Sequence, residues 1–128
     1  MSFFDNIFGK RGESTSNVDW NPLSDITQLD TIIEDSDTKI QAIFKHSTRC
    51  GISSGVLRKF EQKLFDTSSS VELHFLDLIA NRDVSNEIAE RFNIIHQSPQ
   101  LLLIKNREII HYASHYDIVG DRILDFID

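Results

Sequence analysis

Ile40-Gln41-Ala42-Ile43-Phe44-Lys45-His46-Ser47-Thr48-Arg49-Cys50-Gly51-Ile52-Ser53 is the stretch on which the fold turns. Its first half, Ile40 to Lys45, is short, apolar and partly β-branched, and reads as a strand. From Ile52 the apolar residues Val56, Leu57, Phe60 and Leu64 recur at helical spacing. The single cysteine of the chain, Cys50, falls where the strand gives way to the helix. A thiol at a helix N-terminus meets unpaired backbone N–H groups and the positive end of the helix dipole. Both favour the thiolate, the form that acts as a nucleophile, and nearby Arg49 and Lys45 add positive charge. Ser53 stands at the second position of a Cys-x-x-Cys spacing. One chain therefore has no second thiol for an internal disulfide, and a partner for Cys50 must come from another molecule.

Working outward, Ser24 can cap a helix in which Ile26, Leu29, Ile32 and Ile33 share a face. Asp66 to Ser70 is a polar loop, and Val71 to Asp77 reads as a second strand. Ser85 begins another helix with Ile88, Ala89 and Phe92 on one side and Asn93 as its C-terminal cap. Leu101 to Ile104 and Glu108 to Tyr112 form a hairpin turning through Asn106-Arg107, since Asn tolerates the positive φ that short hairpin turns require. Asp117 caps a last helix carrying Ile118, Ile123, Leu124 and Ile127. The order is helix, strand, helix, strand, helix, strand, strand, helix. Two parallel crossovers and an antiparallel hairpin give an α/β fold, a mixed four-stranded sheet flanked by helices on both faces. That is a thioredoxin-like arrangement. In it the reactive cysteine follows the first core strand and a proline precedes the hairpin, the places of Cys50 and Pro99.

The chain has 128 residues, 40% of them hydrophobic with nine phenylalanines, enough for the core of one domain. Residues 1–19 read as an N-terminal arm and flexible linker, and 20–128 as the thioredoxin-like domain. Phe3, Phe4, Ile7 and Phe8 have helical spacing. That apolar end can dock on its own domain, on a partner or on a membrane surface; its own domain is preferred, because the stretch is short and carries little positive charge. No apolar run approaches the roughly 20 residues of a membrane span. The N-terminus lacks the pattern of a signal peptide. The expected location is cytoplasmic, where a free thiol stays reduced.

A net charge of −7 argues against nucleic acid, because phosphate-binding surfaces need clustered Lys and Arg. Arg58, Lys59 and Lys63 are balanced by Glu61 and Asp66 and read as a solvated face. His46, His96, His111 and His115 are scattered without ligand spacing, so no metal is expected. His46 and Arg49 read as ordinary polar residues around the thiol.

Three separated motifs carry a resemblance: Lys45-His46-Ser47-Thr48-Arg49-Cys50-Gly51-Ile52-Ser53, His96-Gln97-Ser98-Pro99-Gln100-Leu101-Leu102-Leu103-Ile104-Lys105, and His111-Tyr112-Ala113-Ser114-His115. In that order they resemble the YtxJ family, the monothiol bacilliredoxins, from about Trp20 to the C-terminus. The resemblance implies a thioredoxin-like fold and thiol–disulfide exchange in the bacillithiol system, in which proteins are capped by a low-molecular-weight thiol under oxidative stress. By position, Cys50 would attack the mixed disulfide of an S-thiolated client protein, and Ser53 would occupy the place of a resolving cysteine. Ser98-Pro99 would form the loop facing Cys50, with His115 near the site. No cofactor would be bound, and bacillithiol would serve as co-substrate. Gly51 departs from the proline that family members often carry after the cysteine.

Several readings stay open. Ser53 is either a polar residue of the first helical turn or a donor to the Cys50 thiolate. Pro99 is either a strand-entry proline or part of a cis Ser98-Pro99 loop that lets the Ser98 backbone pair with an extended substrate. Cys50-Gly51-Ile52-Ser53 is also similar to the Cys-Gly-Phe-Ser of monothiol glutaredoxins, which carry an iron–sulfur cluster between two subunits. Ala113-Ser114-His115, however, lacks the Gly-Gly pair of those proteins, and one cysteine per chain would demand a dimer. A redox-silent interaction domain is the third alternative.

Overall fold

A computed structural model describes residues 18–63 and 71–120. The expected arm helix at Phe3 to Phe8, the linker up to Asn17, Leu64, the Asp66 to Ser70 loop and the helical residues Ile123, Leu124 and Ile127 lie outside the described residues. The elements are β1 (Asn21–Pro22), α1 (Ile26–Asp35), β2 (Ile40–His46), α2 (Gly51–Lys63), β3 (Val71–Asp77), α3 (Arg82–Phe92), β4 (Gln100–Lys105), β5 (Glu108–Ser114) and α4 (Asp117–Gly120).

Among the described residues the sheet has five strands in the order β1-β3-β2-β4-β5, one more than the sequence reading expects. The addition is β1, which pairs parallel to β3 through Asn21↔His74 and Pro22↔Phe75. Two residues are too few for an alternating pattern to show, and Pro22 fits an edge strand because it has no N–H to donate. β2 pairs parallel to β3 on one side and antiparallel to β4 on the other, and β4 and β5 form the expected hairpin. Asn106 and Arg107 have φ of 52° and 69° at its turn, and the Arg107 N–H is held by Ser36 Oγ at 2.8 Å.

Two caps differ from expectation. Asp25 rather than Ser24 caps α1, its carboxylate accepting from Thr27 N–H at 3.1 Å. Ser24 instead gives its own N–H to Gln28 Oε1 at 2.8 Å. Helix α3 starts at Arg82, so Ser85 lies inside it and is buried against the sheet. Asn93 does end α3 in the left-handed conformation, with φ 56°.

Each face of the sheet has its own core. Ile40, Ala42 and Phe44 of β2 face Val56 and Phe60 of α2, together with Leu101, Leu103 and Ile118. Trp20 closes this core, its ring centroid 5.6 Å from Phe75 and 6.0 Å from Phe44, while its Nε1–H donates to Glu61 at 2.7 Å. On the other face Ile43, Leu76 and Leu102 meet Leu29 and Ile32 of α1 and Val84 and Ile88 of α3. β2 is buried along its whole length because both faces are covered.

Candidate active site

One end of the sheet gathers the residues singled out in the sequence. β2 ends at His46, paired with Asp77 at the end of β3. β4 begins at Gln100, paired with Lys45 on one side and with Ser114, the last residue of β5, on the other. The turn after β2 and the loop before β4 therefore leave the sheet side by side.

The turn carries the thiol. Cys50 N–H donates to Ser47 O at 3.1 Å, and Arg49 N–H donates to Ser47 Oγ at 3.3 Å. Cys50 O then accepts the first helical bond, from Ser54 N–H at 3.3 Å, which makes Cys50 the residue leading into α2. Cys50 is half-buried and free of any disulfide within the chain. Arg49 is exposed. Gly51 is exposed, and a Cβ there would meet no atom within 4 Å, so the glycine answers no steric demand of this backbone.

Ser53 is fully buried. Its Oγ accepts the Ser47 N–H at 3.2 Å and lies 2.7 Å from His46 Nδ1. The tautomer of His46 decides where the Ser53 proton goes. If Nδ1 is bare, the Ser53 proton goes to the imidazole. If Nδ1 carries a proton, the Ser53 hydroxyl can donate elsewhere. His46 is buried rather than an ordinary polar residue around the thiol, with its ring 5.3 Å from Phe75. It ties the strand to the first turn of α2 through Ser53.

The facing loop carries Ser98 and Pro99. Their peptide bond is cis, as the second reading of Pro99 expects. Pro99 is buried, and its carbonyl accepts from His115 N–H at 2.9 Å. His115 has φ 56°, a left-handed conformation uncommon outside glycine. It therefore reaches the site through its backbone, while its side chain is exposed. Ser98 Oγ is buried without a hydrogen-bond partner among the described residues.

Lys45 departs furthest from its expected role. It lies on the face of β2 opposite His46 and is fully buried. Nζ donates to Ser85 O at 3.3 Å and lies 3.4 Å from His96 Nδ1. Burial pulls its pKa from 10.5 down to about 8. Partial burial, Lys45 and Arg82 together hold His96 below the usual imidazole range, which keeps Nδ1 available as an acceptor. The available signal was Lys45 itself: a strand covered on both faces leaves a lysine no route to water.

The sequence matches the family described as monothiol bacilliredoxin BrxC over residues 21–123. Among solved structures, a protein of thioredoxin fold proposed as an oxidoreductase is 29% identical, with a TM-score of 0.68 over 84% of this chain and 90% of that one. Thioredoxin from Malassezia sympodialis is 18% identical, with a TM-score of 0.67 over 88% of this chain and 90% of that one. Thioredoxin from Schistosoma mansoni is 20% identical, with a TM-score of 0.65 over 88% of this chain and 95% of that one. The last two carry the fold alone.

Proposed function

The chain belongs to the monothiol bacilliredoxin family, whose fold here is that of thiol oxidoreductases, and from that premise we propose that it removes bacillithiol caps from protein mixed disulfides through Cys50. The observation that carries this reading is the half-buried thiol leading into α2, at the same sheet end as the Ser98–Pro99 loop.

The Cys50 thiolate attacks the bacillithiol sulfur of a client–S–S–bacillithiol bond. A Cys50–bacillithiol disulfide forms, the original bond breaks, and the client leaves as a thiolate that takes a proton from water. A second bacillithiol thiolate then attacks the sulfur of the cap on Cys50. Bacillithiol disulfide leaves and the Cys50 thiolate returns, so the electrons balance without a metal or other cofactor. Partial exposure of the thiol at the head of α2 leaves its sulfur open to a mixed disulfide, which supports the first step. The Ser98 backbone N–H and C=O make no hydrogen bond among the described residues, which suits them to pair with an extended peptide as an added strand would.

The test is intact mass after reduced protein is mixed, in parallel, with a model protein capped by bacillithiol, glutathione or coenzyme A. The expected result is one bacillithiol adduct per chain, absent from Cys50→Ser. Absence of any adduct on the wild-type chain overturns the reading. A brown protein holding iron and sulfide would favour the cluster carrier instead.

A further inference from the structure

The segment that delivers Ser98 to the site is held in an unusual way. Residues 95–98 make no backbone–backbone hydrogen bond among the described residues; the flanking ones run from Ile94 N–H to Ala89 O and from His115 N–H to Pro99 O. Side chains grip it from beneath. Gln100 Nε2 donates to Ile95 O at 3.1 Å. Ser85 Oγ lies 3.2 Å from His96 Nδ1, and Lys45 Nζ lies 3.4 Å from the same nitrogen. Lys45 also donates to Ser85 O, so one ammonium joins β2, α3 and the loop.

An ammonium in that place is costly. Lys45 is fully buried, and among the described residues no carboxylate pairs with it. Gln100, directly opposite in the ladder and on the same face, keeps Oε1 without a partner among the described residues. A methionine would fill a similar volume without the charge, and replacing buried ionic groups by apolar ones is often neutral or stabilising. A buried group that costs stability and touches the loop beside the thiol points to a role in function.

We propose that Lys45 is a positioning residue: acting through His96, it holds the Ser98–Pro99 loop where the mixed-disulfide substrate is captured. The role rests on the function proposed above. It predicts that loss of Lys45 weakens capture and leaves the exchange step itself intact.

The test uses the full chain with Lys45→Met, His96→Ala and both together. Amide hydrogen exchange at His115, whose N–H is bonded to Pro99 O, is expected to quicken by about tenfold or more in each variant, while amides at the centres of β2 and β4 are unchanged or slower. With a model protein capped by bacillithiol as substrate, the half-saturating concentration is expected to rise by about fivefold or more and the saturating rate to stay within about twofold. The double variant is expected to be no worse than the worse single one, because both break the same contact. His96→Ala changes an exposed loop residue and keeps the test decisive if Lys45→Met does not fold. Unchanged exchange at His115 overturns the proposal. So does a loosened loop with an unchanged half-saturating concentration. A wild-type chain that takes no cap sinks the functional reading instead, and the exchange measurement alone then decides whether Lys45 holds the loop.

Discussion

Two lysines sit on the same face of the sheet, at the two ends of the central strand. Lys39, just before β2, is partly exposed and pairs with Glu72 at 3.2 Å. Around it Asn21 donates to Glu72 at 3.1 Å, and His74 Nε2 meets Gln41 Oε1 at 2.7 Å. Lys45, at the other end, is fully buried and has a backbone carbonyl and an imidazole as partners. The first end is arranged so that each charge has water or an opposite charge. The second keeps a charge where neither is at hand. The same residue type on the same face thus distinguishes the end of the sheet that holds Cys50 from the opposite one.

The largest expected effect is the pH dependence of stability. The folded chain releases the Lys45 proton near pH 8, whereas the unfolded chain holds it to about 10.5. Between those values the unfolded state binds more protons, so this group makes stability rise with pH across that window. At about 1.4 kcal/mol per unit, the rise is on the order of 3 kcal/mol at most. Lys45→Met should remove it and be at least as stable as wild type at pH 7. Urea unfolding midpoints at pH 7 and pH 10 for both chains measure the difference. Parallel curves would show that Lys45 is not buried as a cation, and the contrast with Lys39 would collapse.

A smaller effect is expected on the other face of the same strand end, where the buried polar pair carries no lone lysine. Ser53→Ala removes the acceptor of the Ser47 N–H and the partner of His46 Nδ1. Losing a buried hydrogen-bond partner costs about 1–3 kcal/mol. Thermal or urea unfolding at pH 7 reads this cost. A loss under about 0.5 kcal/mol would mean that water replaces the hydroxyl and that the turn before Cys50 does not depend on Ser53.

Much of this arrangement was legible in the sequence. Ile40 to Lys45 reads as a strand by its apolar, β-branched run, and Asn93 and Asn106 announce their left-handed φ by residue type. Cys50 and Pro99 could be placed through the thioredoxin-like arrangement, in which the reactive cysteine follows the first core strand and a proline precedes the hairpin. β1 was not legible, since Asn21 and Pro22 form too short a segment to carry a period. The cap at Asp25 was missed because Ser24 and Asp25 are equally good capping residues side by side. The roles of Lys45, His46 and Ser53 were hidden for another reason. Alternation shows that neighbours on a strand face opposite ways, but not which partner waits on each side.

The smallest expected effect is at the Lys39 end, and it sharpens the contrast most directly. Hydrogen bonding to Lys39, partly offset by burial and helped by Asn21, holds the Glu72 carboxyl below its usual range. Its contribution is therefore present above the unfolded carboxyl value and fades as pH falls. Both side chains are more than a third exposed, at 37% and 44%, so water and salt screen the pair. Glu72→Gln keeps an oxygen to accept from Asn21 while removing the charge. It should cost less than about 1 kcal/mol at low ionic strength and close to nothing in 1 M salt. Urea midpoints at the two salt concentrations test this. The Lys45 difference, fixed by burial, should persist in 1 M salt. Equal salt sensitivity at both ends would mean that water reaches Lys45 as freely as Lys39, which would remove the physical reason for treating the two ends differently.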